Sequence, residues 1–159
     1  MKKEAISALS VRADVSSDTL RDAESEADLR ACYAVMKELR PHLEGEADFL
    51  QRVARMRSQN YRLLAAWEDG QVVALAGYRL QENLVYGKFL YVDDLVTAET
   101  ARGRRWGALL LDALTIMAQQ SACMRLALDT AVSNSLAQRF YFRQGLLFGA
   151  MRFHKLLAQ

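Results

Sequence analysis

The sequence predicts a single α/β domain in which helices cover the faces of one mixed β-sheet. The chain has 159 residues, 52% of them hydrophobic, which is enough apolar material for the core of one domain. Stretches with helical periodicity alternate with β-rich runs in the order β, α, α, β, β, β, α, β, α, β, without an internal repeat. Such interleaving is typical of a mixed sheet with helices on its faces.

The first part of the chain predicts one short strand and two helices. The strand is expected at residues 11–15, and residues 1–10 are a candidate disordered segment. Apolar residues at helical spacing predict a helix from Ser25 to Pro41, the only proline present. A second helix is expected after Gly45, with an apolar side and an arginine-rich side.

The middle of the chain predicts three strands. Residues 61–67 and 71–80 are β-rich, and Glu68-Asp69-Gly70 between them is a turn of hairpin type, so the two runs should pair antiparallel. A third strand is expected at residues 89–97, after Gly87.

The last part of the chain predicts two helices and two strands. Residues 106–119 are apolar nearly all round, which indicates a helix buried on more than one side. A strand at 124–130 and a helix at 133–144 should follow, with Gly145 at the C-terminal end of that helix. Residues 146–156 predict a final strand.

Composition excludes several classes of protein. With 21 Lys plus Arg against 19 Asp plus Glu, the formal charge of +2 is far from that of a dedicated nucleic-acid binder. No apolar stretch approaches the ~20 residues of a membrane span, and the start lacks the apolar core of a signal peptide. Cys32 and Cys123 lack metal-ligand spacing and are interpreted as small hydrophobes. We therefore expect a cytosolic protein with reduced thiols and no metal.

Residues 90–110 carry the most chemical information. They form a strand, a short basic loop with Arg-Gly-Arg-Arg at 102–105, and the start of the apolar helix. Such a loop aims backbone N–H groups and a helix N-terminus at one point, where the arginines add positive charge, so it predicts a phosphate site. On these residues alone, a solvated basic turn is the alternative.

The same segment resembles the acetyl-CoA loop of the GNAT superfamily of N-acetyltransferases, whose form is Arg/Gln-x-x-Gly-x-Gly/Ala. Arg102 and Gly107 match its first and last positions, and Arg105 replaces the middle glycine. Residues 134–146 resemble the family's Asn-x-x-Ala-x-x-x-Tyr-x-x-x-Gly-Phe segment, except that Leu146 replaces the final Phe. The Asp-Asp-Leu-Val strand and the closing Phe-His-Lys-Leu run resemble a bacterial subgroup of these enzymes.

The resemblance implies a GNAT-like fold: one domain over residues 1–159, with a mostly antiparallel sheet of about six to seven strands and about four flanking helices. It also implies acetyl-CoA as co-substrate and a homodimer. The residues implied to bind acetyl-CoA are Leu95, Val96, Thr97, Arg102, Gly103, Arg104, Arg105, Trp106, Gly107, Ala108 and Asn134.

Two of these positions have further interpretations. The family polarises the thioester carbonyl with a backbone N–H at the splayed end of the strand, which here is that of Val96 or Thr97. Asn134 can contact the pantetheine arm, or it can be a helix N-cap.

Tyr141 corresponds to the tyrosine that the family uses as general acid toward the departing thiolate. Its phenol, with a reference pKa of about 10, can protonate a thiolate held against it. The alternative is that Tyr141 is merely packed beside Phe140.

Asp93 and Asp94 are candidates for handling the acceptor amine. Neighbouring side chains on a strand point to opposite faces, so we expect only one carboxylate to face the reacting centre. Asp93 aligns with an acidic position of some diamine-acetylating members and is the preferred base or binding anion, whereas Asp94 is a candidate substrate contact. An ion pair of Asp93 with an arginine such as Arg102 is the structural alternative. His154, expected on the last strand, is either a substrate contact or a structural histidine.

The resulting hypothesis is transfer of an acetyl group from acetyl-CoA, by direct attack, to a primary amine of a small molecule or peptide. Glu82, Glu99 and the two aspartates suggest a cationic acceptor. Two alternatives remain: a catalytically silent acyl-CoA-binding or regulatory module, motivated by Arg105, and a nucleic-acid contact through residues 102–105. The basic run is short and the chain nearly balanced in charge, which disfavours the second alternative.

Overall fold

The computed structural model describes residues 19–157. The strand predicted at residues 11–15 and the candidate disordered segment at residues 1–10 lie outside the described residues.

Five strands and four α-helices follow one another along the described chain. They are β1 (Leu20–Asp22), α1 (Glu26–Leu39), α2 (Glu46–Arg57), β2 (Tyr61–Glu68), β3 (Gln71–Asn83), β4 (Gly87–Thr97), α3 (Trp106–Gln120), β5 (Arg125–Leu128) and α4 (Ser135–Arg143). A short 3-10 turn, Glu99–Ala101, lies between β4 and α3.

The strands form one sheet in the order β1-β2-β3-β4-β5. Neighbours from β1 to β4 pair antiparallel, and β5 pairs parallel with β4. The predicted mostly antiparallel sheet with flanking helices is therefore confirmed. Over residues 19–157 the sheet has five strands rather than six to seven.

Two apolar layers sandwich the sheet. Helices α1 and α2 pack on one face, where Cys32, Phe49 and Leu75 are buried. Helix α3 packs on the other face, where Leu90 and Leu114 are buried. Cys32 is fully enclosed in the first layer, so its interpretation as a small core hydrophobe is confirmed.

Local signals in the sequence explain where the elements begin and end. The Ser25 hydroxyl accepts the Asp28 N–H at 3.1 Å and caps α1, which ends just before Pro41. Asp69 and Gly70 have φ of 50° and 74°, as a two-residue hairpin turn requires. After α4, Gly145 has a φ of 81°, and Leu146 N–H donates to the Tyr141 carbonyl, which closes the helix in a Schellman motif.

Two features differ from the sequence prediction. The short strand β1 was not predicted, because three residues are too few to show a period. The strand predicted at residues 146–156 is wrong, because those residues have no strand pairing and are largely exposed. A β-rich sequence forms a strand only beside a hydrogen-bonding neighbour, and among residues 19–157 none pairs with it. Over residues 19–157, no helix has the length and apolar character needed to span a membrane.

Candidate active site

The candidate site begins where β4 and β5 separate. Their parallel ladder runs from the Phe89–Arg125 pair to the Val92–Leu128 pair and then ends. Strand β4 continues to Thr97, paired only with β3. Beyond Val92, the edge of β4 that faces away from β3 therefore has backbone N–H and C=O groups without a strand partner among residues 19–157. The resemblance to the family implies an open strand end at this position, before the phosphate loop.

A β-bulge lies at the same point. Gly77 of β3 faces Asp94, whereas the next residue, Tyr78, faces Val92, so Asp93 is the extra residue of β4. The bulge shifts the side-chain alternation by one position. Both carboxylates consequently lie on the sheet face that carries Tyr61, so the prediction that they point to opposite faces is wrong.

Asp93 is held by an arginine of the neighbouring strand. Arg79 Nε donates to the two carboxylate oxygens at 3.0 and 3.2 Å, and the Arg79 guanidinium also lies 5.3 Å from the centre of the Tyr61 ring. Burial nevertheless raises the pKa of Asp93, outweighing the opposing effect of Arg79. Asp93 thus forms an ion pair, as the structural alternative expected, but its partner is Arg79. Arg102, the partner suggested from the sequence, lies 3.6 Å from Glu38 instead.

Asp94 is 8% exposed and sits in a polar network of three residues. The Tyr61 hydroxyl donates to Oδ2 at 2.8 Å, and Arg40 Nε donates to Oδ1 at 2.8 Å. Arg40 Nη2 also donates to the backbone carbonyl of Asp93 at 3.0 Å, which ties the end of α1 to the bulge. Both Asp94 oxygens are thus engaged within the protein, and this favours a positioning role over the substrate contact predicted from the sequence.

Sequence reasoning missed three residues of this network: Arg40, Tyr61 and Arg79. Arg40 directly follows α1, whereas Tyr61 and Arg79 lie on β2 and β3, so no local motif connects them. Gly77 belongs with them, because a Cβ at this position would lie 2.3 Å from the Tyr61 hydroxyl oxygen and 2.5 Å from Asp94 Oδ2. A glycine inside an otherwise regular strand was the one available signal of a bulge or close approach.

The basic loop leads into α3 in a form suited to an anion. Gly103 and Arg105 have φ of 78° and 66°, and the first hydrogen bond of the helix runs from Leu109 N–H to the Arg105 carbonyl. The N–H groups at residues 106–108 precede that bond, the first turn has no acidic residue, and no side chain caps the helix. These free donors and the helix dipole fit the pyrophosphate of acetyl-CoA.

The three loop arginines are not equivalent. Arg104 forms an ion pair with Glu68 and lies 5.9 Å from the centre of the Trp106 ring. Arg102 Nη2 lies 3.6 Å from Glu38 Oε2. Within residues 19–157, the Arg105 side chain has neither an ion pair nor a hydrogen bond, and it is exposed at the helix start. Positive charge at the loop is therefore partly balanced by two glutamates, and Arg105 is the arginine available to a bound anion.

Other residues predicted to bind acetyl-CoA are partly buried in the protein. Val96 and Ala108 are 9% and 5% exposed, and Leu95 packs into the layer under α3. Thr97 ends β4 and is half-buried. Contact with acetyl-CoA at Val96 and Ala108 would therefore be made by backbone groups, as the sequence predicted for the carbonyl-polarising N–H.

Helix α4 contacts the start of α3 through an aromatic residue. The Phe140 ring lies over Gly107, where a Cβ would be 3.2 Å from Phe140 Cζ. Tyr141 follows, with its ring 5.5 Å from that of Phe140, and burial raises its pKa. No side-chain hydrogen bond to the Tyr141 hydroxyl is found in the part of the chain that the structure describes. Asn134 caps α4 by accepting the Ala137 N–H at 3.1 Å, so its N-cap role is observed.

His154 is the last of the predicted site residues. It lies in the exposed segment after α4, on no strand. Its expected contact with the acceptor depended on the predicted final strand, which is not formed.

Comparison with known proteins identifies the class. Residues 23–146 match the model of the acetyltransferase (GNAT) family. The chain is 32% identical over 110 residues to the uncharacterized N-acetyltransferase YhdJ of Bacillus subtilis, covering 69% of this chain and 77% of that protein. It is 29% identical over 143 residues to an aminoalkylphosphonate N-acetyltransferase of Salmonella typhimurium, covering 87% of this chain and 90% of that protein.

A solved structure of an aminoglycoside N-acetyltransferase in complex with CoA superposes with a TM-score of 0.76 at 16% identity, over 87% of this chain and 94% of that one. This likeness shows the fold. The chain belongs to the GNAT family of acetyltransferases. It is an acetyl-CoA-dependent N-acetyltransferase that transfers acetyl groups to amines.

Proposed function

We propose that this enzyme acetylates the primary amine of a small cationic molecule, with the reaction taking place between the open end of β4 and helix α4. The observation that carries the proposal is the separation of β4 from β5 after Val92, next to a helix N-terminus with free N–H groups. Acetyl-CoA supplies the activated thioester. The pyrophosphate would lie at residues 103–108, with Arg105 as the uncommitted cation.

The chain's own groups divide the chemistry between them. A backbone N–H near Val96 or Thr97 polarises the carbonyl, because the edge of β4 away from β3 is unpaired there. Tyr141 donates the proton to the departing thiolate. Its half-buried hydroxyl keeps that proton at neutral pH, since burial raises its pKa.

Asp93 handles the acceptor amine. A primary amine with a pKa of about 10.4 is largely protonated at neutral pH, so it must be bound as a cation and then lose a proton. Burial raises the pKa of Asp93, which makes it a better base than an ordinary aspartate. Arg79 holds the carboxylate in place from the neighbouring strand.

The nature of the relatives supports a small-molecule acceptor. The Salmonella relative is named for aminoalkylphosphonates, and a further relative from Serratia marcescens, 33% identical over 81 residues, is an aminoglycoside acetyltransferase. Both names denote small amines. The two names agree only in that the acceptor is a small amine, and they do not indicate which other charged groups it carries. The proposal therefore names a small cationic amine and no particular compound.

The decisive experiment combines binding and turnover. Calorimetric titration with acetyl-CoA should give one-to-one binding, and a panel of small amines should then show CoA release. Tyr141→Phe should bind acetyl-CoA as the wild type does and lose about 10²- to 10⁴-fold in kcat, the range typical of a lost general acid. Tyr86→Phe, at the β3–β4 turn, is the matched control and should keep full activity.

Each negative outcome has a definite meaning. Full turnover by Tyr141→Phe, under conditions where the chemical step limits the rate, would remove the general-acid role. Tight binding of acetyl-CoA without turnover of any amine would instead favour the silent acyl-CoA-binding module.

A further inference from the structure

Two of the three arginines of the basic loop, residues 102–105, are held by glutamates from other parts of the fold. Both terminal nitrogens of Arg104 bind the carboxylate of Glu68, at the end of β2. Arg102 Nη2 lies 3.6 Å from Oε2 of Glu38, in the last turn of α1. Neither glutamate belongs to the loop, so the two ion pairs form only when α1, the β2–β3 hairpin and the loop have come together.

Glu38 also holds the backbone next to the loop. The same oxygen, Oε2, accepts the Glu99 N–H at 2.9 Å, at the start of the 3-10 turn that precedes Arg102. A carboxylate in the last turn of a helix is disfavoured by the helix dipole, so this position does not stabilise α1 itself. What the Glu38 carboxylate gains there is its contact with the loop.

Both arginines can exchange their glutamate for another anion at little cost. The Arg102 and Arg104 side chains are more than half exposed, and exposed ion pairs contribute little to stability. A phosphate group accepts from a guanidinium in the same paired geometry as a carboxylate, and it carries more negative charge. Each arginine can therefore leave its glutamate when a phosphate lies within reach of the loop.

The two glutamates set how much charge a ligand must bring to the loop. With both pairs formed, Arg105 is the loop arginine that faces solvent without a carboxylate partner among residues 19–157. A small anion with one charge would meet Arg105 alone. Acetyl-CoA carries a pyrophosphate and a further phosphate on its ribose, so it offers enough negative charge for all three arginines.

We propose that Glu38 and Glu68 are internal counter-anions of the basic loop. Its two paired arginines exchange these carboxylates for phosphate groups when acetyl-CoA binds. The exchange depends on the proposed position of the pyrophosphate at residues 103–108. Both glutamates are positioning residues, because they act through the arginines and do not contact the cofactor. They stabilise the free enzyme and oppose acetyl-CoA binding, so their removal should change stability and affinity in opposite directions.

The test is calorimetric titration of Glu38→Gln and Glu68→Gln with acetyl-CoA and with inorganic pyrophosphate. At position 38, glutamine keeps an acceptor for the Glu99 N–H and removes only the charge. Each variant should bind both ligands about two- to fivefold more tightly than the wild type, the effect of one exposed ion pair. Thermal unfolding of the free variants should show a small fall in Tm. A residue that merely supported the fold would lower stability and affinity together.

Glu99→Gln is the matched control. Glu99 is an exposed acid beside the same loop, but among residues 19–157 its side chain forms no ion pair. Its replacement removes one negative charge without releasing an arginine. The affinity for both ligands should therefore rise by less than about twofold, and the Tm of the free enzyme should not fall. Circular dichroism should show that all three variants are folded.

A double-mutant cycle tests the pairing itself. In an Arg102→Gln background, Glu38→Gln should give no further gain in affinity, because no guanidinium is left to release. An equal gain in both backgrounds, or an equal gain with Glu99→Gln, would overturn the exchange in favour of general charge repulsion.

Two further outcomes separate this exchange from the proposed function. Variants that bind acetyl-CoA no more tightly than the wild type would overturn the exchange, while binding by the wild type would leave the proposed function standing. A wild type that binds neither acetyl-CoA nor pyrophosphate would overturn both together.

Discussion

Arg40 and Asp94 are joined by a hydrogen bond of 2.8 Å, from Nε to Oδ1, although 54 positions separate them in the sequence. The same guanidinium binds the backbone carbonyl of Asp93 at 3.0 Å. One arginine at the end of α1 therefore holds both the side chain and the main chain of the bulge in β4. The position of the Asp93 carboxylate depends on this contact.

Replacing Arg40 should lower both stability and catalysis. Arg40→Ala leaves the buried Asp94 carboxylate with Tyr61 as its remaining partner, which should reduce the free energy of unfolding by about 1–3 kcal/mol. The bulge loses its anchor, so kcat should fall more than the affinity for acetyl-CoA. Urea unfolding and steady-state kinetics measure the two effects.

Two variants separate positioning from general destabilisation. Arg40→Lys keeps the charge and should restore part of kcat. Arg30→Ala, which removes the exposed ion pairs of α1 with Glu26 and Glu46, should leave kcat unchanged. If Arg40→Ala turns over at the wild-type rate at a temperature where it is fully folded, Arg40 does not position the site.

Gly77→Ala should be strongly destabilising. The added Cβ would meet the Tyr61 hydroxyl and the Asp94 carboxylate at 2.3 and 2.5 Å, so the hydrogen bond between them must be displaced. Overpacking of this kind costs about 1–3 kcal/mol. Gly149→Ala is the control, because a Cβ there meets nothing within 4 Å. Equal unfolding midpoints for the two variants would show that the strand accommodates the added Cβ without loss of stability.

Arg105→Gly should stabilise the fold. Arg105 has a φ of 66°, in the left-handed region that costs a residue with a side chain about 1 kcal/mol and costs glycine nothing. Glycine also restores the middle position of the family's loop pattern. Thermal unfolding should show a small rise in Tm.

Arg102→Gly is the matched control for that variant, since Arg102 has a φ of −62° that suits any residue. It should lower Tm slightly. Titration of Arg105→Gly with acetyl-CoA tests the charge separately: weaker binding despite higher stability would show that the guanidinium itself contacts the anion, and unchanged binding would remove that role.

The contribution of Asp93 to the free energy of unfolding should fall as the pH rises. Burial raises its pKa in the folded protein above the value of about 3.9 for an unfolded aspartate. Between those two values the unfolded chain holds fewer protons, so the contribution of Asp93 to stability is full below the unfolded pKa and is lost as pH rises through the folded one. The difference in free energy of unfolding between wild type and Asp93→Asn should follow this course.

The same pKa should appear in the kinetics. If Asp93 is the base, kcat/KM should rise with pH along a limb displaced upward from that of an ordinary aspartate, and Asp93→Asn should lose the limb. An Asp93→Asn variant with an unchanged pH profile and an unchanged KM for the amine would contradict both roles proposed for this residue.

Local sequence signals predicted most helices and strands of the fold. Ser25 and Pro41 mark the ends of α1, Asp69-Gly70 marks the hairpin, and Gly145 marks the end of α4; each acts through its own backbone or the adjacent residues. The phosphate loop could be predicted for the same reason, because all its parts lie within one short segment.

The network around the bulge could not be found in this way. Whether Asp93 is paired with β3 or left over depends on the register between two strands, and a single strand does not encode its register. Arg40 and Tyr61 reach Asp94 only after the chain has folded. The segment after α4 illustrates the converse, because its composition favours a strand but no strand among residues 19–157 pairs with it.

The extra residue in β4 shifts by one position the alternation of side chains between the two faces of the sheet. Before it, Leu90 and Val92 point toward α3; after it, Leu95 points toward α3 and Val96 toward α1 and α2. Deleting Asp93 alone would leave Val92 opposite Tyr78 and Asp94 opposite Gly77, so Leu95 and Val96 would keep their layers. A one-residue deletion here is therefore expected to keep both cores in register and to remove one carboxylate from the candidate site.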